Sequence, residues 1–136
     1  MVDGSLAKKL LIRPGQTLII INPPPGYLDE LGPLPEGVEI AEQPDGPFDV
    51  VHLFVSNTEE AARLAPAALR SVKRDGVFWI SYPKQTSKTK TDITRDKGWE
   101  TVKSAGFEPV TQVSINEVWS ALRFRPSQLV KRSAKK

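Results

Sequence analysis

The chain contains no cysteine and a single histidine, His52, among 136 residues. The first absence excludes disulfides, a thiol nucleophile and thiolate metal sites, and the second excludes any multi-histidine metal centre. Long apolar runs are also missing. The segments LLI and TLIII fall far short of the ~18 residues that a membrane-spanning helix needs, so no membrane partner is expected. The opening MVDGSLAKK has neither the apolar core nor the cleavage pattern of a secretory signal, and a cytoplasmic protein is the expectation. Basic residues are missing from one whole stretch. None lies between Arg13 and Arg63, whereas Asp29, Glu30, Glu36, Glu39, Glu42, Asp45, Asp49, Glu59 and Glu60 are all acidic. One flank should therefore be acidic and another basic.

What is present is the composition of an ordinary globular domain. Hydrophobic residues make up 39% of the chain, enough for one real core, and the length leaves no room for a second substantial domain. We place a single domain over 1–126 and a basic tail over 127–136. Removing Lys131, Arg132, Lys135 and Lys136 from the net charge of +3 leaves the remainder at −1. The body therefore has no overall basic footprint, and nucleic acid is not an expected partner.

Strand and helix signals alternate. TLIII has the β-branched run of a strand buried on both faces, and it stops at Asn22-Pro23-Pro24-Pro25-Gly26. Seven of the twelve prolines lie between Pro23 and Pro47, which denies that region a long helix. FDVVHLFV reads as a second buried strand. Asn57 or Thr58 can cap the following helix, whose inner face is read as Leu64, Ala68 and Val72, and Pro66 should kink or split it. Asp75-Gly76 should then turn the chain into the strand VFWIS. A helix over 92–105 is expected next, with Ile93, Trp99 and Val102 inward, and two closing strands are joined by a turn at Asn116-Glu117. The plan is a three-layer, Rossmann-like α/β fold with a mostly parallel sheet and a C-terminal antiparallel hairpin at the edge.

The segment over 76–99 concentrates the chemistry. In open α/β sheets, ligands bind beyond the carboxyl ends of the strands, where the loop after VFWIS would lie. Lys84, Lys88 and Lys90 supply charge, hydroxyls from Ser81, Ser87 and Thr91 supply donors, and Asn22 would emerge on the same edge. We take Asn22, Ser81, Lys84, Ser87, Lys88 and Thr91 as candidate ligand-binding residues. Asp92 could cap the helix it begins, where it would compete with an anion. His52 lies in mid-strand with no serine-hydrolase motif around it, so a hydrogen-bonded core histidine is expected and no catalytic residue is assigned.

The succession of helix, VFWISYPK, helix and terminal hairpin resembles the C-terminal half of class I S-adenosylmethionine-dependent methyltransferases. More closely, Tyr82-Pro83-Lys84, the DITRD starting at Asp92 and the WSALRF starting at Trp119 resemble a family of small bacterial proteins with no established activity. The resemblance implies a Rossmann-like fold. The methyltransferases follow their first strand with a Gly-rich loop that lets the backbone approach the cofactor. Here three prolines stand in that loop, removing three N–H donors and fixing three φ angles. Glu39 or Glu42 could be offered for the acidic residue that holds the ribose.

The resulting expectation is a non-catalytic module, with no resident cofactor or metal. It would bind a small anionic ligand or a protein partner through the basic loop 82–91. The alternative is a minimal or degenerate methyltransferase-like enzyme. Dimerisation through an exposed edge strand is a further expectation.

Overall fold

Restricted χ1 rotamers suit Thr17 and three consecutive isoleucines to a pleated surface, and with Leu18 they form β1 (Thr17–Ile21). The computed structural model of the protein describes residues 5–32, 34–41, 46–84, 91–94 and 97–129. β1 pairs in parallel with β2 (Glu39–Ala41) on one side and with β3 (Phe48–Phe54) on the other. β3 pairs in parallel with β4 (Val72–Pro83). The chain closes with β5 (Phe107–Ser114) and β6 (Trp119–Pro126) as a hairpin. β6 inserts antiparallel between β4 and β5, so the six-stranded order is β2-β1-β3-β4-β6-β5. The Rossmann-like plan with a C-terminal antiparallel hairpin is the observed one. The reversed strand is second from the edge, and β5 outside it runs with the parallel four.

Both faces of the sheet are covered, which is why its central strands read as unbroken apolar runs. On one face Val51, Leu53, Phe78, Ile80 and Leu122 meet α3 (Thr58–Ser71) and α4 (Glu100–Ser104). On the other, Leu18, Val50, Phe54 and Trp79 meet α1 (Ser5–Lys9) and α2 (Tyr27–Leu31). Trp79 is fully buried and its indole N–H donates to the Leu10 carbonyl at 2.9 Å, so its one polar atom is satisfied inside the core.

Three sequence expectations change in physical detail. α3 runs through Pro66 as one helix. The carbonyl deprived of its hydrogen bond belongs to Ala62, an exposed residue, where water can replace the lost donor. Its buried face is centred on Ala61, Ala65 and Ala68, small residues that let the helix lie close to β3, with Leu64 only partly covered. The expected turn at Asp75-Gly76 is a bulge within β4: Val72 pairs with Phe48 and Val77 with Val50, so Lys73 to Gly76 are taken up opposite Asp49. A Cβ on Gly76 would lie 2.9 Å from Val72 Cγ2 and 3.0 Å from the Asp49 carbonyl oxygen, a space only glycine fits.

The largest correction concerns the helix expected over 92–105, which is confined to Glu100–Ser104. Gly98 at φ 107 interrupts the helical path, and Thr94 and Lys97 exchange backbone hydrogen bonds. The segment is held by its apolar side chains instead. Ile93, Trp99 and Val102 are buried as expected, and the Trp99 indole N–H donates to the Thr94 carbonyl at 2.9 Å. At the chain end, Ser127–Leu129 form a single 3-10 turn, tied by the Ser127 N–H to the Gly106 carbonyl at 2.7 Å. The rest of the expected tail lies outside the described residues.

Candidate functional site

The carboxyl ends of β1, β3 and β4 bring Asn22, Ser56, Asn57 and Lys84 to one edge, with the 91–94 segment beside them. Each of these groups has a partner of its own. Asn22 sits at φ 61, a left-handed conformation that asparagine tolerates, and its side-chain amide donates to the Phe54 carbonyl at 3.0 Å. It therefore ties the end of β1 to the end of β3. The chain then turns sharply, with Tyr27 N–H bonded to the Pro24 carbonyl, and drives the Tyr27 ring into the core.

Ser81 is fully buried, so its hydroxyl does not face the edge. It lies 2.6 Å from His52 Nε2, and His52 Nδ1 lies 3.2 Å from the Tyr27 hydroxyl. A closed polar chain of Ser81, His52 and Tyr27 thus runs beneath the first-strand loop, packed by Phe54 against the His52 ring. Burial pushes the imidazole down to about 3, and burial together with the Glu30 carboxylate pushes the Tyr27 hydroxyl above its ordinary range. Although a serine beside a histidine resembles a nucleophile and its base, neither is open to substrate, and a base that weak is poorly matched to neutral pH. His52 is the hydrogen-bonded core histidine expected. The sequence carried one signal for the chain, namely that His52 stands within the apolar run VVHLFV of β3 and Ser81 follows the apolar run VFWI of β4.

Lys84 lies at the end of β4, with its N–H on the Val118 carbonyl and its Nζ on Ser114 Oγ, both at 2.7 Å. Thr91 Oγ1 accepts from the Ile93 N–H at 3.1 Å. Ser87 and Lys88 lie outside the described residues, as do Arg95 and Asp96. Asp92 does cap a helix, but α3 and not its own: its Oδ1 accepts the Thr58 N–H at 2.9 Å and its Oδ2 the Thr58 hydroxyl at 2.7 Å. These bonds hold its carboxyl below the ordinary aspartate range. Asn57 Oδ1 accepts the Glu60 N–H at 2.8 Å, and Glu60 returns a carboxylate oxygen to the Ser56 N–H at 2.7 Å. The amino end of α3, which could have received an anion, is closed by the protein's own carboxylates.

The cofactor that the methyltransferase resemblance implies would lie at this same edge. α2 offers only five residues after the proline loop, and Gly26 is the sole glycine in that turn. Glu39 pairs with Thr17 at the amino end of the sheet, the wrong end for a ribose contact, and Glu42 lies outside the described residues. The described residues therefore do not fit S-adenosylmethionine in the way that fold usually holds it. Among the described residues no group of His, Asp and Glu could hold a metal ion, and no helix is long and apolar enough to cross a membrane.

Comparison of the fold with solved structures places the chain among class I S-adenosylmethionine-dependent methyltransferases in architecture. A SAM-dependent methyltransferase from Aquifex aeolicus superposes with a TM-score of 0.62 at 13% identity, covering 88% of this chain and 87% of that one. A ribosomal protein L11 methylase from Lactobacillus delbrueckii subsp. bulgaricus gives 0.57 at 12% identity, over 90% and 75%. A protein of the NADB-Rossmann superfamily from Streptococcus agalactiae gives 0.56 at 11% identity, over 97% and 72%. No protein-family model matches the chain, and no curated protein matches it in sequence. The likeness is one of fold, and at such identities activity does not travel with it.

Proposed function

We propose that this chain is a non-catalytic module on a methyltransferase framework, binding an anionic partner through the basic loop 82–91. The partner is the acidic surface of another protein rather than a free small anion. One observation carries the reading: the carboxyl edge of the sheet is closed on itself. Asn22 bridges to Phe54, Asp92 and Glu60 occupy the amino end of α3 and the segment preceding it, and Ser81 is turned inward onto His52. Among the described residues a small anion then has few N–H groups left to receive it. The loop's sequence carries lysines at 84, 88 and 90, the kind of charge that steers and registers an acidic protein face.

A short polyglutamate peptide serves as the probe. Binding that weakens with salt and is lost in the double substitution Lys84→Glu, Lys88→Glu supports the reading. Equal binding by that variant sinks it.

A second reading, a minimal methyltransferase, is favoured by the strand order and by the reversed strand beside the edge. Calorimetric titration with S-adenosylmethionine separates the two. Saturable heat at micromolar ligand supports the enzyme, and none supports the module.

A further inference from the structure

The outer strand β2 leaves one margin of the sheet open. Among the described residues it pairs only with β1, setting Glu39, Ile40 and Ala41 beside Thr17, Leu18 and Ile19, and it ends the strand order. The Glu39 N–H donates to the Gln16 carbonyl at 3.0 Å, so Glu39 and Ala41 turn their backbone groups toward β1. Backbone groups alternate in direction along a strand. The N–H and C=O of Ile40 and the C=O of Val38 therefore point away from the sheet, where no described strand receives them.

The side chains of this margin alternate in chemistry as well as in direction. Ile40 stands beside Leu18, which belongs to the core beneath α2, so the Ile40 side chain lies on the α2 side of the sheet and Glu39 on the other. Ile40 is 41% exposed and Leu28 of α2 is 54% exposed, and no other large hydrophobic residue described is exposed. Both belong to the β1-α2-β2 unit. The same unit exposes Asp29, Glu30, Glu36 and Glu39, and none of these carboxylates forms an ion pair among the described residues. Glu30 accepts only the neutral side-chain amide of Asn116, and Arg13, beyond the turn that bonds the Gly15 N–H to the Glu36 carbonyl, makes no ion pair with them. Glu42 and Asp45 lie outside the described residues. Two copies joined along β2 would set these acids against one another, whereas a basic strand is attracted by them.

We propose that the β2 edge receives an extended segment of another protein as an added strand, one that alternates apolar and basic residues. Its backbone completes the hydrogen bonds of Val38 and Ile40. Its apolar side chains cover Ile40 on the α2 side, its basic ones stand beside Glu39 on the other, and Asp29, Glu30 and Glu36 attract the same charge from further away. The site is independent of the loop 82–91, whose partner carries the opposite charge.

A hexapeptide of alternating lysine and valine, capped at both ends, tests it when titrated into the full chain while amide chemical shifts are followed. Saturable shifts at Glu39, Ile40 and Ala41 are expected, with affinity falling as salt rises. The same peptide N-methylated at its valines keeps its charge but loses the N–H groups of an added strand, and it should bind at least about tenfold more weakly. Ile40→Lys should weaken binding by a similar factor with the melting temperature unchanged, because the side chain is exposed, and Glu39→Lys should weaken binding and flatten its salt dependence. Equal binding of the N-methylated peptide, undiminished binding by either variant, or shifts centred on Glu59 and Glu60 would each overturn the assignment. The same shifts on concentrating the chain without peptide would make the occupant a second copy. Movement of those amides, again without peptide, when Lys131, Arg132, Lys135 and Lys136 are changed to alanine would make it the chain's own end. Either result also overturns the proposal.

Discussion

The Asp92 carboxylate closes the amino end of a helix that begins thirty-four residues earlier in the chain, taking both the N–H and the hydroxyl of Thr58. An acidic residue that looks like the start of its own helix is the clamp that docks an irregular segment onto α3. Removing it should release that segment and leave Thr58 uncapped. Asp92→Ala is expected to lower the melting temperature by a few degrees and to speed hydrogen exchange at Thr58, with Asp92→Asn intermediate. Unchanged exchange at Thr58 would show that the contact contributes nothing.

The same docking depends on Gly98. A Cβ there would stand 2.7 Å from Thr58 Cγ2 and 2.8 Å from Ile93 Cγ1, at a φ of 107 that side chains avoid. Gly98→Ala should therefore cost about 2 kcal/mol or more in urea unfolding. A loss below about 0.5 kcal/mol would mean that the segment repacks freely.

Asn22 separates two effects at the end of β1. Asn22→Gly keeps the left-handed backbone and loses the amide bond to Phe54, whereas Asn22→Ala loses both. The expected costs are about 1 kcal/mol for glycine and about 2 kcal/mol for alanine. Equal costs would show that the backbone conformation carries no penalty.

The buried His52 makes stability depend on pH with a definite sign. Its folded value of about 3 lies below its ordinary 6.5, so between these values the unfolded chain binds the extra proton. Stability is complete above about 6.5 and falls on acidification, by roughly 1.4 kcal/mol per pH unit until the folded value is reached. Asp49 and Asp92 add a further loss below their ordinary 3.8, because their depressed values favour the native state only while they are ionised. Urea unfolding at pH 7, 5 and 4 checks the slope, and His52→Gln should flatten it between pH 6 and 4. An equal slope in that variant would assign the effect elsewhere.

Much of the architecture is readable along the chain because its causes are local. TLIII, FDVVHLFV and VFWIS are apolar and β-branched or aromatic, and strands buried on two faces need nothing else to be recognised. Asn57 caps α3 within its own turn, Asn116 marks the hairpin, and three prolines after β1 already deny the chain a glycine loop. The site was less legible. Ser81 ends the run VFWIS and so reads as an edge residue, yet parallel pairing with β3 places it beside His52 and inside the core. The span over 92–105 has helical spacing, yet Gly98 and the demands of Thr58 shorten the helix to five residues. A single cleft is lined by Arg13, Asp49, Lys73 and Arg123, which come from four separate segments. Periodicity and turn chemistry act over a few residues, whereas a hydrogen bond or an ion cluster is set within an ångström by which distant strands pair. Local chemistry therefore specified the strands and their layers, while long-range packing assigned partners to their polar side chains.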